Sequence, residues 1–468
     1  MPVSLFNTAS RTAEPFLSLD PAGRLVKMYT CGPTVYNYAH IGNFRAYIFE
    51  DLLQRHLEAR GFQVERVMNL TDVDDKTIAG CRRAGVPLAE FTERFKAAFF
   101  EDLATLRIKP ADHYPAATAP EHIARMISMI QTLQTQDIAY QAEDGSVYFR
   151  IARFPNYGCL AHLNLEELRP SGRIQNDEYE KEAIGDFALW KSWQEGDGEV
   201  FWESPWGRGR PGWHIECSAM ATALLGPQLD IHCGGVDNIF PHHEAEIAQS
   251  ECVTGLQFAR YWLHCAHLMV DGQKMSKSAG NFYTLRDLLE RGYSGREIRY
   301  ALLSVHYRLP LNFTLPGLDA ARAALSRLDA WVERLATHSA GASPAATDPS
   351  VPTPAEDFLC ALDDDLNISG ALGRLFDWLR DSNRGMDSGE LSPAGAARAL
   401  ADFERLNTIL ALAPEQAAVP TEVLALVEER QAVRAAKDWG RSDQLRDAIA
   451  ALGWTVKDTK QGPQLTRH

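Results

Sequence analysis

The sequence predicts an α/β protein in which a parallel sheet is split by a long insertion and followed by a helical bundle and a small tail domain. Near the N-terminus, an apolar strand at residues 25–29 precedes a helix at about 44–60 and a second strand at 62–70. The helix has apolar side chains at helical spacing and is followed by Gly61. A strand, a helix and a strand at this spacing form a βαβ unit, which indicates a parallel sheet.

The alternation of strands and helices stops after the first βαβ unit and resumes about a hundred residues later. Between residues 111 and 209, repeated prolines mark turns, and only short strands such as 146–151 are predicted. The sheet pattern resumes at residues 210–268, where a helix at 218–225 precedes a buried strand at 229–232. The segment between the two halves is therefore an insertion. Its tryptophans are expected to be core residues: Trp190, Trp193, Trp202 and Trp206.

Helices dominate the second part of the chain, whereas residues 1–23 are expected to be irregular. Helices are predicted at 285–291, 318–337, 355–384 and 393–412, and residues 339–354 form a low-complexity linker. From residue 422, a helical hairpin and a short strand-like end form the tail. The predicted domains are the first half of the sheet domain (1–110), the insertion (111–209), the second half (210–268), a loop region (269–317), the helical bundle (318–414) and the tail (415–468).

Composition narrows the class of protein. The 468 residues are 45% hydrophobic and 23% charged, as in ordinary globular proteins. Because no apolar run reaches the length of a membrane span and no secretory leader is recognisable, we expect a soluble cytoplasmic protein. The eight cysteines contain no C-x-x-C pair, which argues against a disulfide framework and a ribbon-type zinc site. A net charge of -15 argues against a general nucleic-acid-binding protein, although a local basic strip could still bind nucleic acid.

The loop between the first strand and the first helix contains the first chemical motif, His-Ile-Gly-Asn at residues 40–43. Ligands of parallel sheets bind beyond the carboxyl ends of the strands. The N-terminus of the next helix offers unpaired N–H groups and the positive end of its dipole. We therefore expect His40 and Asn43 to lie beside a bound phosphate.

A second loop on the same edge is expected at residues 233–237, Cys-Gly-Gly-Val-Asp, after the buried strand. Its glycines, including Gly235, would let a ligand approach the backbone closely. Asp237 is placed to accept a hydrogen bond from a ribose hydroxyl, as acidic residues do in dinucleotide-binding folds. The next helix is expected to begin near Pro241, a residue suited to a helix start.

A further motif, Lys-Met-Ser-Lys-Ser, lies far downstream at residues 274–278. Together the two motifs resemble the HIGH and KMSKS motifs of the class I aminoacyl-tRNA synthetases, although Asn43 replaces the second histidine of HIGH and cannot carry its charge. The resemblance implies a Rossmann-type catalytic domain that activates an amino acid with ATP by positioning and charge stabilisation. The residues it assigns to catalysis or ATP binding are His40, Gly42, Asn43, Gly235, Asp237, Lys274 and Lys277.

Four residues could converge on a metal ion, although no compact metal motif exists. Cys31 follows the first strand, and Cys217 lies near the start of a helix on the same sheet. His242 and Glu246 are four residues apart on a predicted helix, so they face the same way. A zinc ion usually has four nitrogen, sulfur or carboxylate ligands. The residues alone leave other ligands open: Cys233, His214 and His243.

Residues 69–76, Asn-Leu-Thr-Asp-Val-Asp-Asp-Lys, have two interpretations: a cap for the next helix, or a loop that places Thr71 in the same pocket as Cys31. The segment resembles the corresponding one in the cysteine-specific members of the class I family. That resemblance matches their zinc ligands to Cys31, Cys217, His242 and Glu246. It also assigns residues to the amino-acid pocket: Gly32, Thr71, Trp213 and His232.

The resemblance implies one zinc ion per chain, magnesium with ATP, and a monomer that uses ATP, L-cysteine and tRNA(Cys). Zinc binds a thiolate well and a serine hydroxyl poorly, whereas an apolar pocket separates near-isosteres by only about a hundredfold. Two alternatives stay open. One is a ligase that joins cysteine to a small amine and needs no RNA-reading tail, and the other is a non-catalytic RNA-binding protein of the same fold.

From residue 430 onward basic residues outnumber acidic ones, although the chain as a whole is acidic. A solvated helix with charge pairs would explain the pattern, but Trp439 among cations also suits stacking on unpaired bases. Asp443 and Asp458 could accept hydrogen bonds from base amino groups. The resemblance to the anticodon-reading tails of the same family members covers Arg434, Trp439, Asp443 and Asp458.

Overall fold

The computed structural model describes residues 2–163, 169–174, 183–275, 280–344, 353–414, 420–459 and 462–467. The chain divides into two compact units, residues 1–412 and 413–468, which are described separately. None of the helices in the described ranges combines the length and apolar character needed to cross a membrane.

Sixteen strands and fourteen α-helices make up the described chain. The strands are β1 (Ser4–Asn7), β2 (Thr12–Pro15), β3 (Leu25–Thr30), β4 (Gln63–Met68), β5 (Ala139–Gln141), β6 (Val147–Phe149), β7 (Arg169–Ile174), β8 (Ala183–Ser192), β9 (Gly209–Pro211), β10 (Leu229–Gly235), β11 (Ala259–Cys265), β12 (Leu268–Val270), β13 (Gln273–Lys274), β14 (Leu311–Phe313), β15 (Trp454–Thr459) and β16 (Gly462–Arg467). The helices are α1 (Ile41–Ala59), α2 (Asp75–Ala84), α3 (Leu88–Thr105), α4 (Pro120–Thr135), α5 (Trp213–Leu224), α6 (Glu244–Thr254), α7 (Leu285–Glu290), α8 (Gly295–Leu303), α9 (Leu315–Ser339), α10 (Pro354–Asp363), α11 (Ile368–Ser388), α12 (Pro393–Leu410), α13 (Thr421–Ala435) and α14 (Trp439–Ala451).

The central sheet has the order β11-β10-β3-β4, and all of its neighbouring strands are parallel. Side chains alternate between its two faces, because successive residues of a strand point in opposite directions. Met28 and Cys233 belong to the apolar core that contains the α1 side chain Ile48. Tyr29 and Trp262 belong to a second core, which contains side chains of α5 and α6. The predicted α/β class with a parallel sheet is confirmed.

Several predicted boundaries differ from the observed ones. Residues 1–23 were expected to be irregular, but they contain the antiparallel pair β1–β2. Helix α5 begins at Trp213 rather than 218, and β10 continues through Gly235, so the expected glycine loop is largely strand. The single helix expected at 355–384 is two helices, because residues Asp365 and Leu366 adopt positive φ angles that end α10.

The insertion forms its own sheet, in the order β5-β6-β8-β7, with β9 paired to β8. Helix α4 packs beside it and was missed in the sequence, although Pro120 stands at its first turn. Of the four tryptophans expected in the core, only Trp190 is buried. Trp193 is 40% exposed, and its indole N–H donates to the Gly198 carbonyl, which corrects the expectation for this residue.

The second unit is a helical hairpin, α13–α14, followed by the antiparallel pair β15–β16. Among the described residues of this unit, the apolar cluster is small and consists of Val423, Val427, Ile449, Trp454 and Val456. A unit with so few buried apolar side chains depends on additional polar interactions for its stability.

Candidate active site and metal centre

The carboxyl ends of β3, β4 and β10 meet at one edge of the central sheet. Cys31 follows β3, and its N–H donates to the Cys233 carbonyl over 3.3 Å. The next residue must be glycine, because a Cβ on Gly32 would lie 1.7 Å from the backbone oxygen of Asn69. The N–H of Gly32 also donates to the Asn69 side chain at 2.9 Å. This close approach fixes the position of Cys31 against β4.

Cys31, Cys217, His242 and Glu246 bring one donor atom each into a cluster whose atoms all lie within 4.8 Å of one another. His242 Nε2 lies 3.0 Å from Glu246 Oε1, and Cys31 Sγ lies 3.9 Å from the same oxygen. Three of the four residues are buried, and Cys31 is half-buried. His242 belongs to a π-helical turn before α6 rather than to α6 itself. The donor set of two sulfurs, a nitrogen and a carboxylate fits a zinc ion.

Two of the four groups favour the deprotonated form that a metal requires, whereas the hydrogen bond with Cys217 and burial raise the pKa of Cys31 well above its ordinary value. Burial by itself would raise the pKa of Glu246, but His232 and His242 lower it to about 2. A hydrogen bond from Cys31 lowers the pKa of Cys217 to about 6, against the effect of burial. Burial by itself lowers the pKa of His242, but Glu246 and Cys217 raise it to about 10. The Cys217 thiolate and the Glu246 carboxylate are therefore available, whereas Cys31 and His242 would each have to release a proton to bind a metal ion.

Of the three alternative ligands, Cys233 and His214 lie outside the cluster, whereas His243 belongs to it. Cys233 belongs to the apolar core on the opposite face of the sheet, with Met28 and Ile231. His214 Nδ1 lies 3.0 Å from His242 Nδ1, on the far side of that ring from Glu246. His243 Nε2 lies 3.3 Å from Cys31 Sγ, so this histidine is part of the cluster.

The residues assigned to the amino-acid pocket surround the cluster only in part. The Trp213 ring stacks on His242, with centroids 4.3 Å apart, and stays partly exposed. Thr71 is buried, and its backbone pairs with Pro33 and Val35 in the loop after Cys31. His232 is fully buried and its Nε2 bonds Glu246 Oε2 at 2.9 Å, so its partner in the structure is a candidate metal ligand.

The polar segment 69–76 also has its simpler role, because Asp74 caps α2. Its side chain accepts from the N–H of Thr77, and the Thr77 hydroxyl accepts from the N–H of Asp74. Helix capping and the position of Thr71 are compatible, since they use different residues of one segment.

Helix α1 begins at the first motif. His40 is its N-cap: ring Nδ1 accepts from the N–H of Asn43 at 3.2 Å, and the Asn43 Oδ1 accepts from the N–H of His40 at 3.1 Å. The asparagine that departs from HIGH therefore closes a reciprocal capping box. Its carboxamide oxygen is directed at the helix start, and only the amide NH₂ remains for a phosphate.

The two motifs lie side by side. A Cβ on Gly42 would lie 2.9 Å from His40 Nδ1, so the glycine leaves room for the His40 ring, and Met275 Cε of the second motif is 3.4 Å from the same point. The segment after that motif also reaches the helix start, because the N–H of Ile41 donates to the Tyr283 carbonyl and Phe282 packs edge-on against His40. Lys274 is exposed at the end of β13, whereas Lys277 lies outside the described residues.

Gly235 and Asp237 lie at the end of β10, on the same edge of the sheet. The N–H of Gly235 donates to the Asn238 side chain at 3.0 Å. Asp237 is exposed. Their position beyond a strand end suits a nucleotide.

In the second unit, three of the assigned tail residues, Arg434, Trp439 and Asp458, contact one another, whereas Asp443 pairs with a different residue. Asp458 accepts from Arg430 at 2.7 and 2.9 Å and lies 3.2 Å from Arg434. The Arg434 guanidinium lies over the ring of Trp439, 5.4 Å from its centroid, and that ring is 57% exposed. Asp443 is exposed and lies 3.4 Å from Arg446. Both oxygens of Asp458 are thus already in use within the unit.

A chain of polar groups behind the cluster escaped the sequence analysis. His243 Nδ1 lies 2.8 Å from His264 Nε2, and His264 Nδ1 lies 2.7 Å from the hydroxyl of Thr8. Thr8 stands in the expected irregular segment and His264 in β11. No motif connects them, and only the parallel pairing of β10 with β11 brings His264 to this place.

Comparisons with known proteins agree with this arrangement. Residues 19–323 match the family described as tRNA synthetases class I (C) catalytic domain, and residues 416–465 match the Cysteinyl-tRNA ligase anticodon binding domain. A cysteine–tRNA ligase of Chlamydia muridarum is 52% identical over the whole of both chains. One of Protochlamydia amoebophila is 48% identical, covering 100% of this chain and 98% of the relative.

Solved structures share the fold at low identity. A Mycobacterium tuberculosis methionyl-tRNA synthetase in complex with methionyl-adenylate has a TM-score of 0.59 and 14% identity, covering 82% of this chain and 89% of its own. An Agrobacterium radiobacter LeuRS in a ternary complex with tRNA has a TM-score of 0.61 and 11% identity, covering 85% of each chain. With a catalytic-domain match over most of the chain and full-length relatives at about half identity, this chain belongs to the cysteine–tRNA ligase family of class I aminoacyl-tRNA synthetases.

Proposed function

We propose that the chain activates L-cysteine with ATP and transfers the cysteinyl group to tRNA(Cys), and that a zinc ion held by Cys31, Cys217, His242 and Glu246 selects the thiol. The observation that carries the proposal is the convergence of these four donors beside the helix that begins at His40. The metal and the nucleotide site then share the edge where β3 and β10 end, so a cysteine side chain and its carboxylate can reach both.

Zinc fits these residues because two sulfurs, an imidazole nitrogen and a carboxylate oxygen form a donor set that it prefers. When bound there, zinc supplies an affinity for the substrate thiolate that a serine hydroxyl cannot match. The partly exposed Trp213 would form one wall of the amino-acid pocket, over His242. Gly32 and Thr71 would shape the opposite side through the tight approach of β3 to β4.

In activation, the cysteine carboxylate attacks the α-phosphate of ATP and pyrophosphate leaves, so no covalent enzyme intermediate is required. His40 and the N-terminus of α1 would hold the phosphates on one side. Lys274 and Lys277 would neutralise the charge that develops in the transition state. Asn43 would act chiefly by fixing the His40 ring through the capping box, and its NH₂ group would be its only means of contacting a phosphate.

The adenosine would lie at the end of β10, with Gly235 giving access to the backbone and Asp237 accepting from the ribose. Magnesium would accompany ATP through the phosphate oxygens. We further propose that the chain acts as a monomer in the cytoplasm, and that the predicted divisions at residues 110, 209, 268, 317 and 414 separate its functional parts.

The tail would read the anticodon through the exposed ring of Trp439, on which an unpaired base can stack. Arg434 would hold that ring from one face, and Asp458 would hold Arg434. Asp443, whose carboxylate is exposed, is the better placed of the two acids for a base amino group. A ligase that joined cysteine to a small amine would have no use for this surface.

Cysteine-dependent exchange of pyrophosphate into ATP, followed by charging of tRNA(Cys), tests the proposal. Cys217→Ser should raise the KM for cysteine sharply, whereas Cys233→Ser is a matched control because that buried cysteine faces the other side of the sheet. Exchange without charging would favour the small-amine ligase, and absence of exchange would favour a non-catalytic RNA-binding protein. Equal effects of the two substitutions would refute the assignment of Cys217.

A further inference from the structure

The metal cluster contains a second set of four donors that overlaps the first. Cys31, His232, His243 and Glu246 also bring one donor atom each within 4.8 Å of all the others. The two sets share Cys31 and Glu246. They differ in the remaining pair, which is Cys217 with His242 in the first set and His232 with His243 in the second.

The distances available in the second set, which involve both oxygens of Glu246, lie near those between ligands of one ion. Ligands about 2.0–2.3 Å from a tetrahedral zinc are about 3.3–3.8 Å apart. His243 Nε2 lies 3.3 Å from Cys31 Sγ and 3.9 Å from Glu246 Oε1, and Cys31 Sγ lies 3.9 Å from the same oxygen. His232 Nε2 lies 2.9 Å from Glu246 Oε2, a hydrogen bond that an ion would replace.

A histidine that only supported a metal ligand would need one hydrogen bond to that ligand. His243 Nε2 instead lies near two of the shared donors at once. Its other nitrogen is held by His264, which is held in turn by Thr8. An imidazole anchored through its second nitrogen is the usual arrangement of a metal ligand. The His232 ring is fixed by stacking on Trp262, with centroids 4.5 Å apart.

We propose that Cys31, His232, His243 and Glu246 form a second position for the same metal ion. This rests on the proposed zinc site, with which it shares two ligands. The two positions share one thiolate and one carboxylate, and they are proposed as alternatives for a single ion. Glu246 reaches both ligand pairs: Oε1 lies 3.0 Å from His242 Nε2 and 3.9 Å from His243 Nε2, and Oε2 lies 2.9 Å from His232 Nε2.

The two positions differ in chemistry. The first offers two thiolates and therefore holds zinc more tightly, since sulfur ligands favour this metal. The second offers one thiolate and one carboxylate, which balance the charge of a divalent cation in a buried site. The second position keeps the ion in the protein when Cys217 is lost, but away from the ligand pair that lies beside Trp213.

The test measures zinc per chain in the purified full-length protein, with circular dichroism to establish folding. Cys217→Ala should keep about one zinc ion, held more weakly in chelator competition. His243→Asn should also keep it, because the first set is intact. The double variant Cys217→Ala/His243→Asn should lose the zinc ion. The single variant Cys31→Ala should also lose it, because Cys31 belongs to both sets.

Cobalt substitution gives an independent readout. Cobalt-loaded Cys217→Ala should show a sulfur-to-cobalt charge-transfer band about half as intense as that of the cobalt-loaded chain without the mutation, since one of two thiolates remains. If the folded Cys217→Ala variant and the separate Cys31→Ala variant both lack metal, the second position is overturned and the first is left intact. Retention of zinc by Cys31→Ala would overturn both positions, and with them the proposed metal site. Retention by the folded double variant would overturn the second position.

Discussion

Replacing Asp458 with asparagine should weaken the tail unit as a whole rather than change which base it reads. The carboxylate accepts from both terminal nitrogens of Arg430 and lies 3.2 Å from Arg434. The Arg430 side chain is only 4% exposed, whereas that of Asp458 is 40% exposed. Asparagine keeps the shape but removes the charge, so a buried guanidinium loses its counter-ion.

The magnitude lies between two limits. Breaking a fully buried ion pair costs about 3–5 kcal/mol, and an exposed pair contributes about 0.2–1 kcal/mol. With one partner buried and the other partly exposed, we expect a loss of about 1–2 kcal/mol. Among the described residues of the unit, the apolar cluster has five buried side chains, so this is a substantial part of its stability. Arg430 and Arg434 lower the pKa of Asp458, so the stabilisation is present above the unfolded pKa and is lost as the pH falls through the folded value.

Hydrogen exchange of the tail in the full-length chain measures the loss, and charging of tRNA(Cys) with altered anticodons measures specificity. Asp458→Asn should speed exchange throughout residues 420–459 and reduce charging of all anticodon variants in similar proportion, with pyrophosphate exchange unchanged. Asp443→Asn is the matched control, because its carboxylate is 63% exposed, and it should leave hydrogen exchange unchanged. Relaxed discrimination at a single anticodon base with unaltered hydrogen exchange in Asp458→Asn would refute this reasoning.

Three further predictions concern the catalytic unit. Lys277→Ala should lower kcat for adenylate formation by a factor of about a hundred to a thousand with little change in the KM for ATP, as measured by pyrophosphate exchange, and a change in KM alone would contradict its role. Burial raises the pKa of Glu50 to about 8, so between about pH 4.5 and 8 the folded chain binds one more proton than the unfolded chain and loses stability as the pH rises. Glu50→Gln should remove this loss and stabilise the protein by up to about 3 kcal/mol at pH 7, as measured by urea unfolding. An unchanged pH dependence of stability in Glu50→Gln would contradict this prediction. Gly32→Ala should destabilise the fold by about 1–3 kcal/mol and lower the zinc content, since its Cβ would lie 1.7 Å from the Asn69 carbonyl oxygen, whereas normal stability and zinc content would contradict the tight approach.

Much of the catalytic edge could be predicted because local patterns determine it. The apolar periodicity of α1, the strand before it and the His-Ile-Gly-Asn segment between them place His40 at a helix start. The spacing of His242 and Glu246 brings their side chains together, although a π-helical turn and not a continuous α-helix does so. The predicted fold placed Cys31 and Cys217 on the same sheet as candidate ligands, but the choice of these cysteines over Cys233 required the resemblance to known synthetases.

The remaining features have no recognisable sequence pattern. The capping box of His40 and Asn43 is local, but His-x-x-Asn differs from the usual Ser/Thr-x-x-Glu/Gln sequence. The Asp458–Arg430 pair joins residues 28 positions apart, and so it appeared in the sequence only as part of a basic strip. The second donor set joins the loop after β3, strand β10 and the region where α6 begins, and the parallel pairing of β10 with β11 brings His264 behind His243.

The central claim is that zinc itself recognises the cysteine thiol. X-ray absorption at the zinc edge of the zinc-loaded protein tests it directly, because sulfur and the lighter donors scatter differently. In the resting protein zinc should have about two sulfur neighbours, and addition of cysteine should raise the number to about three, whereas serine should leave it unchanged. An unaltered zinc environment in the presence of saturating cysteine would contradict the account.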